Sequence, residues 1–135
     1  MIDARSRDLH CVCCDARLYA AADMRLLVSA TMVSAHHRIL QNRRDNRLSN
    51  LILLAGSGSR GCHWQWHSRE RAEAERLGYI VRHGLAADTA RIPVYYNQPS
   101  LGRVGWHRLT DDGDLIHLDA PPEACAIDLT GEPSE

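Results

Sequence analysis

Apolar positions along this chain fall into short runs separated by polar turns. Leu26-Leu27-Val28-Ser29-Ala30-Thr31-Met32-Val33 is rich in β-branched residues and free of Gly and Pro, which predicts a strand. Leu51-Ile52-Leu53-Leu54 predicts a second, entered through Ser49-Asn50 after the polar stretch Arg38 to Arg47. Past the glycine-rich connector Gly56-Ser57-Gly58-Ser59-Arg60-Gly61, Trp66, Ala74 and Leu77 alternate with charged residues in helical fashion. That spacing predicts a helix over 63–77, stopped by Gly78. Tyr79 to Arg82, Ile92 to Tyr96, Val104 to Leu109 and Leu115 to Leu118 then read as strands. Asp111-Asp112-Gly113-Asp114 turns between the last two and makes a small antiparallel meander.

Ahead of the first strand, residues 1–10 read as a loose lead-in, Cys11 to Arg17 as a knuckle turn and Leu18 to Met24 as a short helical turn. Residues 119–135, rich in Pro and acid, predict a disordered tail in which Cys125 has no role. The expected organisation is one α+β domain over 1–118, with its strand–strand–helix core at about 26–78.

Composition changes this picture in three ways. The chain has 135 residues and 44% hydrophobic content, but only 5% aromatics and no Phe. A core filled thinly by Leu, Ile, Val and Ala in a small domain often leans on a metal. The net charge of −1 hides an asymmetry: residues 1–82 hold 13 Arg against 8 acidic residues, whereas residues 83–135 hold 3 against 9. A basic front section fits a polyanionic partner. Finally, three of the five cysteines crowd into Cys11-Val12-Cys13-Cys14, a pattern foreign to secreted disulfide frameworks. With no apolar leader and no run long enough to span a bilayer, the expected place is the cytoplasm, away from membranes.

Candidate chemistry concentrates between His36 and His67, which hold four of the eight histidines. On a helix, His63 and His67 would lie one turn apart on one face and bind a single ion. His36 would supply a third neutral imidazole and leave positions open for water or a phosphate oxygen. His37, an imidazole titrating near neutrality, is the candidate general base. Adjacent strand residues face opposite ways, so His36 and His37 share one site only if the pleat relaxes there. Arg38, Arg43, Arg44 and Arg47 are candidate phosphate contacts, since guanidinium offers bidentate bonds to phosphate oxygens. Cys11 and Cys14 at CxxC spacing suit a metal knuckle, with Cys62 a third ligand. Cys13 and His10 are the remaining candidates for a fourth, although neighbours on one tight turn are poorly placed to serve equally. The glycine-rich connector lacks the Lys of a phosphate-binding loop. His83, His107 and His117 show no metal spacing and read as surface or cross-strand residues.

A His-His-Arg triplet at 36–38, Asn50-Leu51 and Gly61-Cys62-His63 with His67 four residues on resemble the HNH (His-Asn-His) endonucleases of the ββα-metal superfamily. In particular the chain resembles the small HNH proteins of actinobacterial phages, over Cys11 to about Val94. The resemblance implies a ββα-metal core flanked by the N-terminal cysteine knuckle and the C-terminal meander. It implies hydrolysis of DNA phosphodiesters, with double-stranded DNA as partner and a phage packaging or recombination protein as a further one. His37 would activate water, Asn50 would fix the loop and orient His37, and His36, His63 and His67 would hold one divalent ion (Mg, Mn, Zn or Ni). His63 thereby counts with His37 and Asn50 among the catalytic groups. Two departures stand out: Ala55 occupies a usual cysteine position of the structural zinc, and Trp64 a usual glycine. The alternative is a zinc-stabilised nucleic-acid-binding module of HNH descent that does not cut.

Overall fold

The computed structural model describes residues 3–39, 45–57, 61–81 and 89–119, the side chains of His67 and Ser68 excepted. Among these residues the chain is α+β, with a two-stranded and a three-stranded antiparallel sheet and short helices.

Residues 4–8 are not a loose lead-in. They form α1 (Ala4–Asp8), started by a capping box in which the Asp3 side chain accepts from Ser6 N–H and the Ser6 side chain meets the Asp3 backbone. Its end is anchored by a buried ion pair. Arg7 Nε and Nη2 donate to the two Asp8 carboxylate oxygens at 2.8 and 2.9 Å. The pair also binds the Leu48 and Leu51 carbonyls, the Leu53 amide and the Tyr96 hydroxyl. Every buried polar atom named here thus has a partner, which a charge pair at 0–2% side-chain exposure requires. Burial and the Asp8 carboxylate push the Tyr96 hydroxyl well above its ordinary pKa.

The first strand starts later than the apolar pattern predicts. Ser29 caps a 3-10 turn at Ala30–Met32, and β1 runs from Val33 to His37. The expected helical turn at 18–24 is a turn closed by the Tyr19↔Leu26 bridge. A 3-10 turn at Leu48–Asn50 leads into β2 (Leu51–Ala55), which pairs antiparallel with β1 in the register His36↔Ile52 and His37↔Leu51. Buried Ile52, Leu53 and Leu54 make β2 the spine of a core that also takes in Cys11, Val12, Leu18, Ala74, Tyr79, Val94, Tyr96 and Leu109.

The single helix expected over 63–77 is broken in two. α2 (Gly61–Trp64) passes into a π-helical turn at Gln65–Arg69, closed by Glu70 N–H to Gln65 O at 2.7 Å. Glu70 leaves helical geometry at φ −126°, ψ 56°, and α3 (Arg71–Arg76) restarts from it. Gly78 then stops α3 at φ +82°; a Cβ there would lie 2.1 Å from the Pro93 carbonyl, so the helix end can approach the next strand only as glycine. Tyr79 to Val81 are buried but join no sheet, their amides going to the Ala74 and Arg38 carbonyls. Arg82 and His83 lie outside the described residues.

The meander is present: β3 (Val94–Gln98), β4 (Arg103–Leu109) and β5 (Leu115–His117) pair in that order. His107 and His117 are cross-strand partners, as expected from the alternation. The expected tail, with Cys125, lies outside the described residues from 120 on.

Candidate metal-binding centres

Strand pleating decides which side chains can meet. Ser34 and His36 project from one face of β1 toward α2, and His37 leaves on the other. Because both histidines keep ladder register, the pleat does not relax, the expected sharing of one site across the strand is not met, and one ligand can meet both only around the end of β1 at His37.

On the inner face, the His36 and His63 rings lie 5.3 Å apart between centroids, inclined at 65°. Two imidazoles bound to one tetrahedral ion at ordinary metal–nitrogen lengths have centroids about 5 Å apart. His36 is 2% exposed, and its Nε2 lies 2.9 Å from the Tyr79 carbonyl. A carbonyl only accepts, so Nε2 carries the hydrogen and Nδ1 the lone pair. Ser34 Oγ donates to Gly56 O at 2.8 Å and therefore accepts from His63 Nδ1 at 3.2 Å, which leaves the lone pair of His63 on Nε2. Each ring thus has its tautomer set by an outer partner, the arrangement that metal-ligating histidines use. His67 occupies the π-helical turn that follows, and its side chain lies outside the described residues.

On the other face, His37 is half-buried and its Nε2 meets Asn46 Oδ1 at 2.8 Å. By the same logic Nδ1 is its basic atom. The neighbouring Asp45 carboxylate is held below its ordinary pKa, chiefly by Arg47 hydrogen bonds and also by the charge of His37. Sequence reasoning missed Asn46 and Asp45; polar residues in an arginine-rich loop carry no periodic signal that would separate them from solvated ones.

Asn50 is fully buried and works as a loop clasp. Its Oδ1 accepts from Ile39 N–H at 3.0 Å, its Nδ2 donates to Asp45 O at 2.8 Å, and its carbonyl accepts from Arg38 N–H. It ties Ile39 and Asp45, on either side of residues 40–44, to the start of β2, while Asn46 is the residue that touches His37.

Arg38 is not a phosphate contact in this structure. It is fully buried, and its guanidinium donates to the carbonyls of Gly78, Ser49, Thr89, Ile92 and Pro93. Two residues past His36, it leaves β1 on the inner face and stitches strand end, helix end and the approach to β3 together. Arg47 is partly exposed and paired with Asp45 at 2.7 Å. Arg43 and Arg44 lie outside the described residues.

The cysteines come together. Cys11, Cys14 and Cys62 place their sulfur atoms within 4.8 Å of one another, a group able to hold a metal ion. Cys11 is buried, Cys62 half-buried and Cys14 exposed; all are free thiols. The knuckle is fixed on both sides, by Val12 N–H to Leu53 O on β2 and by Asn97 N–H to Val12 O from β3. Thiol contacts, that with Cys11 foremost, and the Ala16 amide draw Cys14 well below the ordinary thiol pKa.

No protein-family model, curated protein or solved structure matches this chain. No helix among the described residues is long and apolar enough to cross a membrane.

Proposed function

We propose that this protein is a metal-dependent endonuclease of HNH type, hydrolysing DNA phosphodiesters. The observation that carries the reading is the His36–His63 pair: two imidazoles from a β-hairpin and the helix after it, 5.3 Å apart, with their tautomers set by Tyr79 O and Ser34 Oγ. His36 and His63, with His67 from the next turn, would hold one divalent ion, which stabilises charge on the phosphate and the leaving 3′ oxygen. His37 takes a proton from water through Nδ1, while Asn46 holds Nε2–H and Asp45 steadies the resulting imidazolium. Asn50 keeps the loop that carries both helpers in place. The Cys11, Cys14 and Cys62 group would hold a structural zinc, suited to thiolates by its softness.

One observation favours the second reading, a nucleic-acid-binding module that does not cut. His37 leaves β1 on the face opposite His36, so the substrate must cross the end of the strand to meet both. A supercoiled plasmid incubated with protein and Mn or Mg separates the two. The nuclease nicks it, loses activity in EDTA, and loses about 10²–10⁴-fold in rate as His37→Ala while keeping its metal. A mobility shift without nicking under every metal condition would leave the binding module.

A further inference from the structure

The resemblance expects the fourth zinc thiolate at position 55, where this chain has alanine, and Cys13 is the remaining thiol beside the group. Cys13 Sγ lies 3.6 Å from Cys11 Sγ, beside the group that Cys11, Cys14 and Cys62 form. A zinc ion bound by four thiolates at about 2.3 Å has sulfurs about 3.8 Å apart along each tetrahedral edge. The Cys11–Cys13 separation matches that edge, and it is far too long for a disulfide, at about 2.05 Å. From the spacing 4.8 Å that bounds the other three sulfurs, an ion has to draw them in by only some tenths of an ångström to about an ångström.

The backbone curls tightly through the knuckle. Cys11 N–H donates to Ala16 O and Asp15 N–H to Cys11 O, closing a tight loop around the three thiols. Asp15 sits at φ +65°, a left-handed position that turns the chain back over them. Its carboxylate is held by His10 Nδ1 and by both the amide and the hydroxyl of Ser100, so the strained residue is tied to the meander. Asn97 Nδ2 holds the Cys13 carbonyl at 3.1 Å. His10, the other candidate ligand, has its Nδ1 committed to Asp15 at 2.9 Å.

We infer that Cys11, Cys13, Cys14 and Cys62 form a closed four-thiolate metal site, with Cys13 replacing the ligand that Ala55 does not supply. This deepens the structural-zinc reading above and rests on it. A closed set has no position for water, so the site is structural. Three ligands come from the knuckle and one from the first turn of α2, next to His63. The ion therefore fixes the knuckle, which already bridges β2 and β3, to the segment that carries the second imidazole of the candidate catalytic pair.

Cobalt substitution of the full-length protein tests this without reference to cleavage. Thiolate-to-cobalt charge-transfer absorption grows with the number of bound sulfurs, so Cys13→Ser should lose about one quarter of the intensity per cobalt. Cys14→Ser should lose a similar share, and His10→Ala none. Should Cys13→Ser keep full intensity, Cys13 is not a ligand and the inference falls, and a shift of the cobalt d–d bands in His10→Ala would name its replacement. Circular dichroism on each variant separates ligand loss from unfolding, and Cys14→Ser supplies the quarter-loss standard if Cys13→Ser does not fold. Protein that shows no charge-transfer band with cobalt at all would overturn the metal reading itself, a different outcome from a band that Cys13 does not affect.

Discussion

Two pairs of histidines in this molecule have nearly the same ring geometry and quite different surroundings. His36 and His63 lie 5.3 Å apart at 65°; His107 and His117 lie 5.0 Å apart at 72°. The second pair arises trivially, since strand register places the two residues opposite each other on β4 and β5. The first joins residues 27 positions apart on a strand and a helix, and each ring has a dedicated partner on its far nitrogen. In the second pair only His107 is held closely, by the Gly105 carbonyl at 2.9 Å, while His117 sits 3.8 Å from an exposed Asp119. Ring proximity alone is therefore cheap, and what marks a candidate ligand set is the fixing of both rings from behind.

The comparison can be broken most decisively by removing each pair in turn. The double variant His36→Ala, His63→Ala should abolish binding of the catalytic ion and reduce nicking by several kcal/mol of barrier, roughly 10³-fold or more. The double variant His107→Gln, His117→Gln should change neither. Calorimetric titration with Mn, done after the thiol site is filled, reads the binding, and plasmid relaxation reads the rate. Equal losses from both doubles would mean that spacing, not support, gathers the ion. A smaller effect isolates the support: Ser34→Ala removes the acceptor behind His63 and should weaken metal binding about 10–100-fold with the fold intact. If the Ser34→Ala affinity stays at the starting value, His63 does not depend on its outer partner.

Arg47 offers a still weaker lever on the same centre. Its guanidinium is partly exposed and shared with Asp45, so Arg47→Ala should lower DNA affinity only by about one phosphate contact, with a correspondingly shallower salt dependence. A salt slope identical to that of the unaltered protein would remove Arg47 from the interface.

The hairpin, its clasp and the meander were legible because each leaves a local signal: an apolar run, an Asn before a strand, alternation ending in a turn. The spacing of His63 and His67 also read as one helix, but Glu70 and the π-helical turn interrupt it, and no periodicity of charged residues announces a five-residue hydrogen bond. Arg38 shows the same limit more sharply. In sequence it belongs to an arginine-rich loop; in the fold its strand parity turns it inward to five carbonyls that come from three separate segments. The buried Arg7–Asp8 pair was hidden for the same reason, because what neutralises it lies more than forty residues away on β2 and almost ninety away on β3. Cys13 was visible as a candidate, but the left-handed turn at Asp15, which curls the knuckle in which Cys13 lies 3.6 Å from Cys11, was not.

The gentlest test uses His107, from the pair that strand register alone brings together. Burial foremost, then the charges of His117 and Arg103, hold its pKa below the ordinary 6.5, against the opposing bond to Gly105 O. The unfolded chain therefore binds a proton at a pH where the native ring does not. The stability this ring contributes is complete above the unfolded value and is lost as pH falls through the lower native one. His107→Gln should flatten the fall in urea midpoint on the acid side of 6.5 and leave the midpoint's pH dependence above it unchanged. An acid limb as steep in His107→Gln as in the unaltered protein would show that another group carries the titration. The imidazole buried in the meander would then take up its proton at the same pH in the native and unfolded states, and its contrast with the supported pair around His36 would rest on metal binding alone.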